Sequence, residues 1–300
     1  MREFRYDTSG RWLKGNTHIH STLSDGGKNF HELARLYSSA GYDFLFRTDH
    51  WLASDVSVDT ENYPLRWLDG VELDGIDKRG SLYHIVCLGT LKGIIREMGL
   101  EGAVRAAREQ DAVIILAHPH WTGNSFEDCV QMQPDGVEIY NHVCHWDNGK
   151  SNGLAYWEAA LKHNPDVLAF TVDDTHLNHN HPGWNGGWIM VNVEECSENE
   201  ILAAIKRGNF YSSCGPEFHS IEFDGKTLHL RTSPVMFVRI VGPNFMGRRV
   251  NEYNGKLVTE TAVDIPPEWN YIYMEIEDEQ HRQAWTNTLF INNVKSFIMD

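Results

Sequence analysis

The apolar positions of this chain fall into two regimes. From Trp12 to about Tyr211, short apolar runs alternate with helical patterns, the arrangement expected of βα units around a parallel sheet or barrel. The strand-like runs are "WLKGNTHIH", "YDFLFRTDH", "RWLDGVEL", "LYHIVCLG", "AVIILAHPH", "DGVEIYNH", "VLAFTVDDTH" and "GWIMVNV". Between them, Phe30, Leu33, Leu36 and Tyr37 form a helical stripe that ends at Gly41, and further helices are predicted through "LEGAVRAAREQ" and "GLAYWEAALKH". Ser197, with Glu200 three residues on, reads as a capping box before "ILAAIKRG", and Gly208 suits its C-terminal cap. After about Pro216 the runs "TLHLRT", "VMFVRIVG", "KLVTETAVDI" and "YIYMEIED" alternate with period two between Gly, Asn, Asp and Pro. The expected organisation is an α/β barrel unit over residues 1–215 and a small antiparallel β appendage over residues 216–300.

Composition narrows the classes. A 300-residue chain that is 41% hydrophobic can bury a substantial core. Its formal net charge of −16 argues against a surface that tracks duplex nucleic acid, and leaves bound divalent metals as a source of local positive charge. The five cysteines, Cys87, Cys129, Cys144, Cys196 and Cys214, are scattered without C-x-x-C spacing, so they are expected to be buried free thiols rather than disulfides or a zinc ribbon. The N-terminus lacks a signal-like apolar core and no run approaches a membrane span, so a cytoplasmic location with no membrane partner is expected.

The sixteen histidines change the picture, because many stand where a strand pattern ends. His18 and His20 are two apart on a strand and project to one face, with Asp25 following in "SDGG". Asp49 and His50 end "FLFRTDH", Glu72 ends "WLDGVE", and His84 lies in "LYHIVCLG". His118 and His120 end "IILAHPH", Glu138 and Asn141 end "VEIYN", and Asp173, Asp174 and His176 end "AFTVDDTH". Strand ends of a βα barrel converge on one rim. Imidazoles with carboxylates make a ligand inventory for Zn, Mn, Fe or Ni, and the absence of cysteine speaks against a structural zinc site. Asp49 and Asp173 each sit one residue from a better ligand and should face away from it, in supporting positions.

In their order and combination, "THIHSTLSDG", "FRTDH", Glu72, His84, "AHPH" and the D-x-H of Asp174 and His176 resemble the PHP (polymerase and histidinol phosphatase) family over roughly residues 12–215. These are metal-dependent phosphoesterases with a distorted (β/α)7 barrel. The resemblance implies His18, His20, Asp25, His50, Glu72, His84, His118, Asp174 and His176 as ligands of a trinuclear centre of Mn, Zn or Fe. In family terms His18, His20, Glu72 and Asp174 hold one metal. Glu72 bridges to a second with His84 and His118, and Asp25, His50 and His176 hold the third. An intact ligand set favours catalysis, with Glu72 and Asp174 at its centre.

Metals about 3.5–4 Å apart acidify a bridging water and polarise a phosphoryl oxygen. The expected reaction is therefore attack of a metal-bound hydroxide on the phosphorus of a small phosphomonoester or of a phosphodiester, such as a nucleotide or short oligonucleotide. Arg47 is a candidate for a phosphate oxygen and, more weakly, Lys28. His120 is a candidate proton donor or substrate contact if its strand continues, and Asn141 lines the pocket. Trp121, Trp184 and Trp188 could stack on a substrate. The competing readings are an amidohydrolase-type C–N hydrolase, which often carries a lysine carbamate where Glu72 stands here, and a non-catalytic metal-containing binding module.

Overall fold

The computed structural model describes residues 2–53, 63, 65–251 and 255–292. Residues 54–62 and 64, part of the loop "WLASDVSVDTENYPLRW" expected to shape the pocket, lie outside them. In chain order the first half runs β1 (Arg2–Phe4), β2 (Arg11–Asn16), α1 (Phe30–Ser39), β3 (Phe44–Arg47), β4 (Arg66–Ile76), β5 (Leu82–Leu88), α2 (Gly99–Glu109), β6 (Val113–Leu116), α3 (Pro119–Thr122), α4 (Phe126–Met132), β7 (Gly136–Asn141), α5 (His142–Asn148), α6 (Leu154–Leu161) and β8 (Leu168–Val172). It continues through β9 (Trp188–Val193), α7 (Glu198–Arg207) and β10 (Phe210–Ser213). The tail adds β11 (Phe218–Phe223), β12 (Thr227–Val235), β13 (Phe237–Val241), β14 (Gly247–Arg249), β15 (Val258–Asp264), β16 (Tyr273–Glu277), β17 (Gln283–Thr286) and β18 (Phe290–Asn292). No helix among the described residues is long and apolar enough to cross a membrane.

Each strand-like run of the first regime forms a strand, for a reason visible in β3. Phe44 and Phe46 point into an inner core with Leu68, Ile115, Phe170 and Val191. Leu45, between them, packs outward with Leu33, Ala34 and Tyr37 of α1. A strand buried on both faces reads as an unbroken apolar run. Helix α1 starts with a complete capping box of Asn29 and Glu32, and α7 has Ser197 at its N-cap and Gly208, with φ 75°, at its C-cap.

The sheet departs from an all-parallel closed barrel. Strands β2, β3 and β4 are parallel, as are β6, β7 and β8, but β5 runs antiparallel to both β4 and β6, and β9 antiparallel to β2. One sheet of 13 strands ends at β8, which forms no ladder with β9 or β2. Its free edge is satisfied by side chains instead. Ala169 N donates to Asn287 Oδ1 at 2.8 Å, Thr171 N donates to Ser212 Oγ at 3.0 Å, and Ser212 Oγ donates to Ala169 O at 2.8 Å. Buried amides need such partners, and here hydroxyls and an amide stand in for a strand. Past the end of β8, a parallel bridge joins Ile19 to Thr175. His20 N donates to Thr175 O (2.9 Å) and Asp174 N to His18 O (3.0 Å), which brings the two histidines beside "DDTH".

The tail is all-β as expected, but the sheet does not break at 215/216. β17 pairs with β10, so β17, β16, β13 and β14 extend the main sheet, while β11, β12 and β15 form a second layer on it. β1, at the other end of the sequence, pairs with β18. Tyr271, Tyr273 and Trp285 belong to the core that Trp157 and Leu161 of α6 complete. Period-two patterning identifies strands without saying which sheet they join. Of the cysteines, Cys87, Cys129 and Cys144 are buried, whereas Cys196 and Cys214 are half-buried; all are free.

Candidate metal centre

The loop after β2 is built to present its ligands. Asp49 accepts hydrogen bonds from Ser21 N (2.8 Å), Ser21 Oγ (2.8 Å) and Ser24 Oγ (2.6 Å), which folds "HSTLSDGG" back over its strand. A Cβ on Gly26 would lie 2.4 Å from His20 O, and one on Gly27 2.5 Å from Leu177 O. Only glycines let the loop thread between those backbones. Asp25 is thereby held out over His50 and His176 rather than capping its own turn, whose Gly26 N donates to Ser21 O. Asp173, the other supporting carboxylate, accepts from the Tyr37 hydroxyl and from the amides of Asn185, Gly186 and Gly187.

All the side chains implied as ligands come together. His18 Nε2 and His20 Nε2 lie 3.1 Å apart. Glu72 Oε2 is 3.2 Å from each of them, and Asp174 Oδ1 is 3.3 and 3.1 Å away. Donors around one cation at about 2.0–2.1 Å have such spacings. The Asp174 Oδ1 atom is buried and has no hydrogen-bond partner among the described residues, so a carboxylate oxygen is left unsatisfied where two imidazoles and a second carboxylate converge. That donor set fits a divalent metal. Glu72 turns its other oxygen, Oε1, to His84 Nδ1 (2.9 Å) and His118 Nε2 (3.4 Å), so its carboxylate faces two ligand groups at once. A further group gathers His20, Asp25, His50 and His176, with Asp25 Oδ2 at 3.3 Å from His176 Nε2 and 3.8 Å from His50 Nε2.

Partners behind the ligands set their tautomers. His18 Nδ1 shares a 2.6 Å hydrogen bond with Glu138 Oε1, leaving Nε2 toward the centre. Glu138 Oε2 also accepts from His118 N (2.8 Å) and Asn141 Nδ2 (2.9 Å), so one carboxylate positions two strand ends. His176 Nδ1 lies 2.8 Å from Asp174 O, which directs its Nε2 to Asp25. His118 (φ 27°) and Asp174 (φ 55°) both hold left-handed backbone, a cost of about 1–3 kcal/mol each for non-glycine residues that the surrounding bonds sustain. His84 arrives differently from its sequence reading. It lies near the start of antiparallel β5, opposite Asp74 of β4, and that reversed strand brings its beginning to the rim.

The proposed substrate contacts fare otherwise. Arg47 donates through Nε (3.1 Å) and Nη2 (2.5 Å) to Asp69, its neighbour in the β3–β4 register. Here Pro119 ends the strand pattern and begins α3, so His120 sits on that helix and is not among the residues that line the cavity. Lys28 pairs with Glu32 in the first turn of α1 at 3.1 Å. Asn141 is fully buried, its amide nitrogen committed to Glu138 and Asp174 and its Oδ1 accepting from Cys144 N. Trp184 packs edge-on against Tyr37, and Trp188 lies under Lys14 Nζ. Trp121 does reach the cavity, with Val143, Cys144, Asp147, Asn178 and His181. Sequence reasoning passes over Asp74, although strand alternation places it on the face of Glu72. Its Oδ1 is 3.2 Å from His50 Nδ1 and accepts the Trp51 indole at 2.8 Å. The cavity above the ligands has a volume of about 250 Å³.

Electrostatics tie this cluster to pH. Burial opposes a charge on His20, but the carboxylates of Asp174 and Glu72 beside its Nε2 outweigh it and push its pKa up to about 10. His18 is likewise held well above its usual value: burial opposes its charge too, and Asp174, Glu72 and Glu138 override it. With a folded value above the ordinary ~6.5, the stability from the His20 charge pairs is complete below pH ~6.5 and is lost as pH rises toward about 10. A cation bound by these nitrogens must displace their protons. Adding Zn²⁺ or Mn²⁺ to chelator-treated protein at pH 7 is therefore expected to release protons, with affinity rising as pH increases. Calorimetry in buffers of different ionisation enthalpy reads this directly, and binding without proton release would contradict protonated histidines here.

No family model matches the sequence, and no curated protein does. Among solved structures, a two-domain protein from Bacteroides vulgatus containing a predicted PHP-like metal-dependent phosphoesterase is 16% identical with a TM-score of 0.51, covering 96% of this chain and 98% of its own. A protein from Bifidobacterium adolescentis assigned as a metal-dependent phosphoesterase is 14% identical (TM-score 0.45; 59% of this chain, 92% of its own). An amidohydrolase from Chromobacterium violaceum with bound sulfate is 15% identical (TM-score 0.37; 54% and 87%). The chain thus shares the fold of the PHP-like two-domain protein along nearly its whole length, β tail included.

Proposed function

We propose that this protein is a metal-dependent phosphoesterase that adds water across the P–O bond of a small phosphomonoester or phosphodiester. The observation that carries the reading is the convergence on Glu72, whose two oxygens face separate imidazole groups, His18, His20 and His50 on one side and His84 and His118 on the other. Divalent ions held there would polarise a phosphoryl oxygen and acidify water. The chain's own contribution is to fix the donors. Glu138 locks His18 in the tautomer that offers Nε2, Asp49 holds the Asp25 loop, and Trp121 narrows the entrance beside His84 and His118, with ring centroids 5.7 and 5.2 Å away. A cavity of about 250 Å³ suits a small ester rather than a duplex.

The test is to strip the protein with chelator, restore Mn²⁺, Zn²⁺ or Fe²⁺, and screen phosphomonoesters, phosphodiesters and amides. Ester cleavage that depends on added metal is expected. Turnover of amides alone would reassign the site to C–N hydrolysis, and full metal binding without any turnover would make it a binding module. Elemental analysis on the same samples is expected to give three equivalents, falling to two in Asp25→Ala. Unchanged stoichiometry with normal activity would leave the centre dinuclear.

A further inference from the structure

The cavity has an unusual balance of charge for a site that takes phosphate. Among the described residues, no Lys or Arg lines it. Arg47 and Lys28 are engaged elsewhere, with Asp69 and Glu32. The phosphoryl group would then be met by metals held at the ligand cluster, and the rest of the wall is left to recognise the alcohol half of the ester. That wall comprises Trp121 from α3 and Val143, Cys144 and Asp147 from α5, together with Asn178 and His181 from the segment after β8. The Trp121 indole donates to Asp147 Oδ2 at 3.2 Å. This neutral donor leaves the carboxylate's charge in place, and Asp147 forms no ion pair among the described residues. Trp121 is 37% exposed and so presents ring surface beside that charge. An indole and an adjoining carboxylate attract cationic nitrogen, the one through its quadrupole and the other through its charge.

We propose, resting on the phosphoesterase reading, that Trp121 and Asp147 form a charge-selective wall: the preferred substrate is a small phosphate ester whose alcohol carries a cationic nitrogen, and esters of anionic alcohols are rejected. The phosphate end then faces the metals and the cationic end faces Asp147, so both charges of a zwitterionic ester are matched. A second carboxylate or phosphate on the alcohol would instead lie against Asp147, with no Lys or Arg among the described residues of the cavity to offset it. Asp147 is exposed, so this repulsion acts as a filter that is strongest at low ionic strength.

The experiment compares three esters of similar size on the metal-loaded protein: phosphocholine, glycerol 2-phosphate and 3-phosphoglycerate. kcat/KM is expected to fall in that order. Asp147→Asn, which keeps an acceptor for the indole, should compress the ratio of phosphocholine to 3-phosphoglycerate by about tenfold or more, with most of the change in KM. Asp147→Lys should reverse the order, and Trp121→Leu should lower the preference for phosphocholine over glycerol 2-phosphate. A wild-type preference for 3-phosphoglycerate, or a ratio unmoved by Asp147→Asn, overturns the proposal while leaving the phosphoesterase reading intact. Should none of the three be hydrolysed, calorimetric binding of the same esters to the metal-loaded protein reads the same ratio. Equal affinities there, or affinities that Asp147→Asn does not change, overturn it equally.

Discussion

Glu72→Gln is expected to fold as the wild type does and to lose turnover by on the order of 10³-fold or more, since a Lewis-acid centre supplies several kcal/mol at the transition state. The side chain is 1% exposed. Burial opposes its ionisation, yet His18, His118 and His20 hold its carboxyl well below the usual range. Glutamine keeps the shape and one acceptor but removes the anion that faces both ligand groups. The expected signature is a fall in kcat together with a loss of metal equivalents by elemental analysis, and a circular dichroism spectrum unchanged from wild type. A folded, fully metal-loaded Glu72→Gln protein with wild-type turnover would remove Glu72 from the centre of the chemistry.

Truncation after residue 215 is expected to be as damaging to folding as Glu72→Gln is to turnover. Period-two patterning alone suggests a detachable tail, but the pairing of β10 with β17 and the burial of Tyr273 against Trp157, with ring centroids 4.7 Å apart, argue otherwise. Removing buried aromatics costs about 3–5 kcal/mol each, and Tyr273 and Trp285 together approach the whole ~5–15 kcal/mol stability of a domain. Loss of Asn287 would also leave the buried Ala169 amide without its acceptor. The shortened chain should be insoluble or molten, and the full chain should unfold in one calorimetric transition. A soluble, cooperatively folded fragment of residues 1–215 would show that the shared sheet is not needed.

The ligand set was legible because its chemistry is local to strand ends. His18 and His20 share a face by alternation alone, and Glu72, His118 and Asp174 stand where apolar runs stop. Whatever depends on a partner distant in sequence was not legible. Nothing near Arg47 announces that Asp69 will take its guanidinium, and nothing near Asn287 announces the amide of Ala169. His120 shows a local competition, in which Pro119 starts a helix and overrides the alternation that would have aimed the ring at the rim. Asp74 and the Asn29–Glu32 capping box carry local signals that a search centred on histidines does not weigh. The direction of β5 lies in pairing, which composition does not encode.

The free edge of β8 has a mechanical meaning. Around most of the sheet, neighbouring strands are zipped by ladders, but between the ends of β2 and β8 the described residues are joined by side-chain bonds plus three main-chain bonds, His20 N to Thr175 O, Asp174 N to His18 O and Gly27 N to His176 O. The histidines of one flank and Asp174 of the other are also the donors that gather on a shared point. A cation bound there would act as a rivet across the seam, and the sheet would be held most tightly there when loaded. Metal occupancy would then be readable in how fast the His20 and Asp174 amides trade hydrogen for deuterium, far from any assay of turnover.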